Sequence, residues 1–327
     1  MEPLKLKAAC QDYIWGGTRL REEFGKESDL ERLAESWELS CHPDGESVIA
    51  SGEYEGMTLK AWLEENPDAL GVYCEKFDRF PVLVKLIDAK ENLSLQVHPD
   101  NAYAFRNEHD WGKTELWYII EAEPGAEIIY GFKDTLTKEQ FRFAIEHHTI
   151  LDWVNHVPVK AGDVFYIPAG TVHAIGKGIL LAEIQQTSNL TYRIYDYDRG
   201  RELHIEKALE VTRLTPAENP PLEPPVIREG FTAQYLKRCP FFTVQKITAL
   251  ESSVGYYDSF RHLLILDGEA FLEIDGKELP IKKGDSIFIP AGVFCPVKGK
   301  CTALKTFMSY TGVPTDRNIR IKERIIL

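Results

Sequence analysis

Four side chains lying far apart in the chain together offer two imidazoles, a carboxylate and an amide oxygen: His98, His173, Glu115 and Gln96. Imidazole combined with oxygen donors suits zinc, with a coordination position left open for water or substrate. Alternate residues of a strand share a face. In Phe80–Pro99 (FPVLVKLIDAKENLSLQVHP), Ser94, Gln96 and His98 therefore project together, away from Leu93, Leu95 and Val97. Lys113 and Glu115 share a face if Gly112-Lys113-Thr114-Glu115-Leu116-Trp117 opens a strand, and His173 closes Pro168-Ala169-Gly170-Thr171-Val172-His173. Taken singly, each reads as readily as an ordinary polar group satisfied by local hydrogen bonds, and only the set has metal-site character. Whether Gln96 ligates directly stays open. Lys85 interrupts the apolar run Val82-Leu83-Val84-Lys85-Leu86-Ile87. An unpaired buried ammonium is costly, so Lys85 must meet an anion or snorkel to water at a sheet edge.

An internal repeat positions these groups. Val159–Ile175 (VKAGDVFYIPAGTVHAI) and Ile281–Val297 (IKKGDSIFIPAGVFCPV) both carry a lysine, Gly-Asp, a β-rich run and Ile-Pro-Ala-Gly. A strand–turn–strand pattern precedes each, at Leu116–Gly131 and Leu263–Gly276. Gly-Asp and Pro-Ala-Gly are turn chemistry between runs of strand length. In the second copy Cys295 takes the place of His173, and the place of Glu115 falls near Arg261 and His262, so the ligand set is depleted there. The repeat resembles the cupin signature, whose jelly-roll mouth holds a metal and a small ligand. The expected fold is mostly β: two cupin-like jelly-roll units with a few helices inserted in loops. Helical spacing appears at Leu59–Leu70, at Asp134–Trp153 with a Thr137/Gln140 capping box, and at His204–Leu214. The proline-rich Thr215–Pro225 (TPAENPPLEPP) continues neither helix nor central strand. The expected domains are 1–214, catalytic, with a short helical insert at about 134–153; 215–228, a linker; and 229–327, a degenerate cupin unit without the metal ligands.

Composition narrows the partners. Across 327 residues the net charge is −13, which argues against nucleic acid or anionic membrane and requires any anionic substrate to find a local group of Lys and Arg. Six cysteines without CxxC spacing read as reduced thiols. The N-terminus lacks a signal-peptide stretch and no run has the length of a membrane span, so a cytoplasmic protein is expected, a monomer or weak homodimer. His147-His148 on a helix point apart, the run Tyr195-Asp196-Tyr197-Asp198-Arg199 either rims the pocket or, by default, lies at the surface, and the basic cluster Arg317, Arg320, Lys322 and Arg324 is too short for nucleic acid.

Several segments in order resemble one family. LSLQVHPD (93–100), GKTELWY (112–118), PAGTVHAIG (168–176), EIQQTSNLTYR (183–193), Tyr13-Ile14-Trp15-Gly16-Gly17 and Glu35-Ser36-Trp37-Glu38 look like type I phosphomannose isomerase in its short bacterial form. The resemblance implies one Zn2+ per chain bound by Gln96, His98, Glu115 and His173, and interconversion of mannose 6-phosphate and fructose 6-phosphate. It also implies an active-site arginine at Arg193, a matching glutamate at Glu183, and substrate or phosphate binding by Lys85, Ser94 and Lys113. At unchanged spacing the family's S-D-N aspartate is replaced by Asn189 and its asparagine by Leu190, so no role of that charge transfers. The helical insert of larger members is reduced to Asp134–Trp153. Isomerisation through an enediol(ate) needs a base, for which Glu183 with its apolar flanks is the first choice, and cations such as Arg193 or Lys113 for the oxyanion. For Glu183 the plain alternative is a strand carboxylate paired with a lysine or arginine. Two other classes share the scaffold. An iron-dependent cupin oxygenase would present more imidazoles and consume oxygen. A sugar-sensing cupin would bind without turnover and tolerate loss of Glu183 and Arg193.

Overall fold

In a computed structural model, which describes residues 1–253 and 258–309, the chain is built mainly from antiparallel strands. The first unit stacks two sheets. One is ordered Val164–Ile167, Glu115–Ala122, Ile179–Gln186, Val82–Ala89, Glu35–Leu39, Ala9–Gln11; the other Val154–Pro158, Glu127–Phe132, His173–Ile175, Leu95–Val97, Tyr192–Tyr195. Between them Ile87, Ala89, Trp117, Ile119, Ile128, Ile175 and Leu181 form an apolar cluster.

The six-stranded sheet is covered on both faces, which explains its near-continuous apolar strands. Its outward residues Val82, Val84, Leu86, Leu116, Ala182 and Ile184 pack with Phe242, Phe260, Phe288 and Leu304 of the second unit. Lys85, Glu115 and Glu183 occupy the alternate, inward positions beside Ile87, Trp117 and Leu181. The five-stranded sheet is covered outside by helices Lys138–Glu146 and Ile205–Val211 through Phe141, Ala144, Ile145, Ala208 and Leu209. The expected capping box opens the first of these: Gln140 N donates to Thr137 Oγ1 at 3.1 Å and Thr137 N to Gln140 Oε1 at 2.8 Å.

The second unit is a single sheet around an aliphatic cluster that includes Ile247, Leu263, Ile265, Ile287, Cys295 and Ala303. The strand Leu4–Lys7, from the other end of the chain, pairs antiparallel with Ser286–Ile289 and so extends this sheet. The proline-rich segment is irregular and lies on the first unit, where Asn219 Nδ2 donates to Val164 O at 2.8 Å. Helices Arg19–Phe24 and Asn101–Asn107 are additional to those read from spacing. No helix among the described residues is long and apolar enough to cross a membrane. The basic cluster from Arg317 to Arg324 lies outside the described residues.

Candidate active site

Three strands of the five-stranded sheet set up a cross-strand row: His173 is in register with Gln96, and Gln96 with Arg193. The fourth group arrives from the facing sheet at Glu115, the first residue of its strand. Gly112 permits this approach, because a Cβ there would lie 2.4 Å from the Asp100 carbonyl carbon and 2.7 Å from Pro99 O. At Gly170 the backbone has φ 87° and its N–H donates to His98 O at 2.8 Å, bringing the last turn of the repeat against the His98 strand end.

The metal-binding atoms of His98, Glu115 and His173 lie within 4.8 Å of one another, all buried. His98 Nδ1 is 2.8 Å from Leu190 O, and His173 Nδ1 is 2.8 Å from Thr171 O. A carbonyl only accepts, so each Nδ1 carries the proton and each Nε2 turns a lone pair inward. The two Nε2 atoms are 3.1 Å apart, and Glu115 Oε1 and Oε2 are 3.3 Å from His173 and 3.5 Å from His98. Neither Glu115 oxygen accepts a hydrogen bond, although Lys113 Nζ is 3.0 Å from Oε2. Buried carboxylate oxygens are normally satisfied, so this donor set fits a divalent cation. Gln96 Nε2 lies 3.4 Å from His173 Nε2, and a half-turn of its amide presents Oε1 to the same point.

Burial, then the Lys113 charge, pushes the His98 imidazolium pKa down to about 3, and burial lowers that of His173. Both rings are thus neutral, the form that ligates metal. Burial alone would raise Glu115, but the Lys113 charge, foremost among its neighbours, holds it well below the ordinary carboxylate range.

Beside this group is a cavity of about 290 Å³, lined by Ser94, Gln96, Lys85, Lys113, Glu183 and Arg193 among others. Lys85 is 3% exposed and does not snorkel: its Nζ lies 3.2 Å from Glu35 Oε2 and 3.6 Å from Glu183 Oε1. Lys113 Nζ is also 3.6 Å from Glu183 Oε1, so the buried charges alternate Glu35, Lys85, Glu183, Lys113, Glu115. Burial opposes the Lys85 charge, yet Glu35 and Glu183 outweigh it and raise its pKa. Glu183 accepts from Trp117 Nε1 at 2.9 Å, and its pKa is raised by burial and then by Glu115. Arg193 Nη1 donates to Glu202 O at 2.8 Å. Asn189, at the position where the resemblance expects an aspartate, lines the cavity and donates to Asp44 Oδ2 at 2.9 Å. Leu190 contributes its backbone carbonyl to His98, a task independent of its side chain.

Strand alternation accounts for Gln96 and His98 but not for Leu93, which turns into the inner cluster because the strand begins only at Leu95. Spacing gives no role to Glu35, Trp117 or Arg201, which the fold brings to the site. The carboxylate inside the buried strand Glu35–Leu39 is the counterpart of the misplaced-looking Lys85, and pairing the two anomalies was the available signal. In the second unit, Cys295 sits in the aliphatic cluster and His262 Nε2 bonds Ser286 Oγ at 2.8 Å. No comparable group of potential ligands occurs there among the described residues. His147 follows its helix and stacks on Phe143, away from any ligand group.

Two family models match: phosphomannose isomerase type I, catalytic domain, over residues 4–123, and mannose-6-phosphate isomerase, cupin domain, over 232–308. The mannose-6-phosphate isomerase of Streptococcus mutans is 42% identical over 301 residues, spanning 88% of this chain and 92% of that one. The chain belongs to the type I mannose-6-phosphate isomerase family. Membership makes it an isomerase, an intramolecular oxidoreductase. Within the mannose-6-phosphate isomerases, ManA of Bacillus subtilis is 40% identical over 89% of this chain and 94% of its own. The crystal structure of a Bacillus subtilis mannose 6-phosphate isomerase superposes with a TM-score of 0.89 at 37% identity, covering 94% of this chain and 99% of that one. A mannose 6-phosphate isomerase structure described as holo and zinc bound shares the fold, with a TM-score of 0.80 at 19% identity over 95% and 100% of the two chains.

Proposed function

We propose that the chain interconverts mannose 6-phosphate and fructose 6-phosphate with one zinc ion per chain, held by His98, Glu115, His173 and Gln96. The observation that carries this reading is the convergence of two imidazole lone pairs on a buried carboxylate that accepts no hydrogen bond, beside a cavity holding Lys85, Lys113, Glu183 and Arg193. Family membership and the close relatives support the substrate, and one carboxylate with neutral donors supports zinc. When bound, the ion supplies Lewis acidity toward the sugar oxygens or anchors the substrate.

The reaction moves one proton from C2 to C1 and one from O2 to O1, with no change in overall oxidation state. Glu183 takes the carbon-bound proton and returns it to the neighbouring carbon, through an enediol(ate). Its raised pKa makes it a stronger base than a surface carboxylate. Lys113 shares the charge that develops on the substrate oxygens, and Arg193 binds the anionic end of the substrate. Lys85 and Ser94 hold sugar oxygens, with Lys85 kept protonated by Glu35 and Glu183. The free cysteines agree with a cytoplasmic enzyme.

A coupled assay following mannose 6-phosphate into fructose 6-phosphate tests the reading. Activity is expected to vanish on chelation and return with zinc. Full turnover in a metal-free preparation would overturn it.

A further inference from the structure

We infer that Arg201, clamped by the buried Asp196, forms with Arg193 the subsite that takes the phosphate monoester of the substrate. The inference deepens the isomerase reading and rests on it. The row His173, Gln96, Arg193 crosses three adjacent strands, and strands lie ~4.8 Å apart, so its ends are roughly 10 Å apart. Arg201 lines the same cavity as Arg193, together with Thr191, and is close enough to lower the Arg193 pKa. A sugar phosphate with its carbonyl end at the imidazoles therefore extends its far end toward these guanidiniums.

Arg201 is held in place by a buried anchor. Asp196, although set in a polar run, is 4% exposed. Its Oδ2 accepts from Arg201 Nε at 2.9 Å, and its Oδ1 bonds Arg201 Nη2, with Arg199 Nη2 3.2 Å from Oδ1. Arg199 Nε also donates to Asp196 O at 2.9 Å. The chain reaches this arrangement through left-handed Tyr197 and Asp198, with φ 53° and 57°. Two successive non-glycine residues there cost on the order of 1 kcal/mol each or more, and such strain persists where surrounding contacts over-determine it.

The charge balance singles out this end of the cavity. Arg193, Arg199 and Arg201 face Asp196 and Glu202, whereas Lys85 and Lys113 are each already shared between two carboxylates. Arg193 Nε is buried without an acceptor. Burial and then Arg201 lower the Arg193 pKa, the mark of guanidiniums that repel one another until an anion arrives. Forked guanidinium donors match phosphate oxygens and hold them by charge-assisted hydrogen bonds.

The test compares wild type with Arg201→Gln, Arg201→Lys and Asp196→Asn. It measures KM and kcat for mannose 6-phosphate, the inhibition constant of inorganic phosphate, bound zinc and the thermal midpoint. Arg201→Gln is expected to raise KM and the phosphate inhibition constant together by ~10–100-fold, the loss of a hydrogen bond to a charged group, with kcat changed far less. Arg201→Lys, which keeps the charge without the fork, should fall between, and Asp196→Asn should move both constants in the same direction. Zinc content at the wild-type level excludes a collapsed site. Unchanged KM and phosphate inhibition in Arg201→Gln would overturn the subsite. If the wild type fails to isomerise the sugar phosphate, calorimetry with inorganic phosphate alone separates the cases. Arg201-dependent binding would retain the subsite and reject the isomerase reading, and binding indifferent to Arg201 would reject the subsite.

Discussion

Replacing Trp117 by phenylalanine removes one hydrogen bond from the proposed base and leaves its charged neighbours in place. The indole Nε1 donates to Glu183 Oε2 at 2.9 Å, and both side chains are buried. A hydrogen bond to a charged group contributes ~1.5–3 kcal/mol, and one pKa unit corresponds to ~1.4 kcal/mol. The donor stabilises the charged form, so its removal raises the Glu183 pKa further, by ~1–2 units. A base must be deprotonated to act, and the acid limb of the kcat/KM profile should therefore move to higher pH by that amount. The assay is the coupled isomerisation measured across pH, with zinc content as a control because Trp117 also packs edge-on against His173 at 5.3 Å. An acid limb that stays in place in a zinc-replete Trp117→Phe enzyme would refute Glu183 as the titrating base.

Lys85→Met leaves Glu35 and Glu183 buried without their shared cation and should lower the unfolding free energy in urea by ~3–5 kcal/mol, while adding Glu35→Gln recovers part of the loss; strictly additive losses would contradict the alternating charge chain. His173→Ala should abolish tight zinc binding in a competition titration with a chromophoric chelator, and wild-type affinity in that variant would contradict the donor set. His262, fully buried, has its pKa lowered from 6.5 to about 3 by burial and then by Lys26, so the unfolded chain takes up a proton before the folded one does. Its contribution to stability is complete above pH 6.5 and is lost as pH falls toward about 3. Stability measured against pH should consequently decline less steeply in His262→Gln, and identical slopes would show that His262 is not the responsible group.

Local chemistry made much of the site legible in the sequence. The period-two spacing of Gln96 and His98 gives their common side, and the duplicated Gly-Asp and Pro-Ala-Gly turns mark two related units. Thr137 and Gln140 announce a helix start through a bond that needs only residues three apart. Periodicity, however, names a face and not the neighbour across it. Glu35 meets Lys85 only because Glu35–Leu39 pairs with Val82–Ala89, a register set by the whole sheet. Asp196 reads as a surface residue because its neighbours are polar, yet Arg199 and Arg201 fold back over it and bury it. The membership of Leu4–Lys7 in the sheet of the distant unit has no local signature, since its partner Ser286–Ile289 lies near the other end of the chain.

Diffraction data collected on either side of the zinc absorption edge, from crystals grown with zinc and without chelator, reach the metal proposal most directly. The account predicts one anomalous peak per chain, enclosed by His98 Nε2, His173 Nε2 and the Glu115 carboxylate, with Gln96 at its edge. A map with no peak at that point, from protein that turns over mannose 6-phosphate, would contradict it.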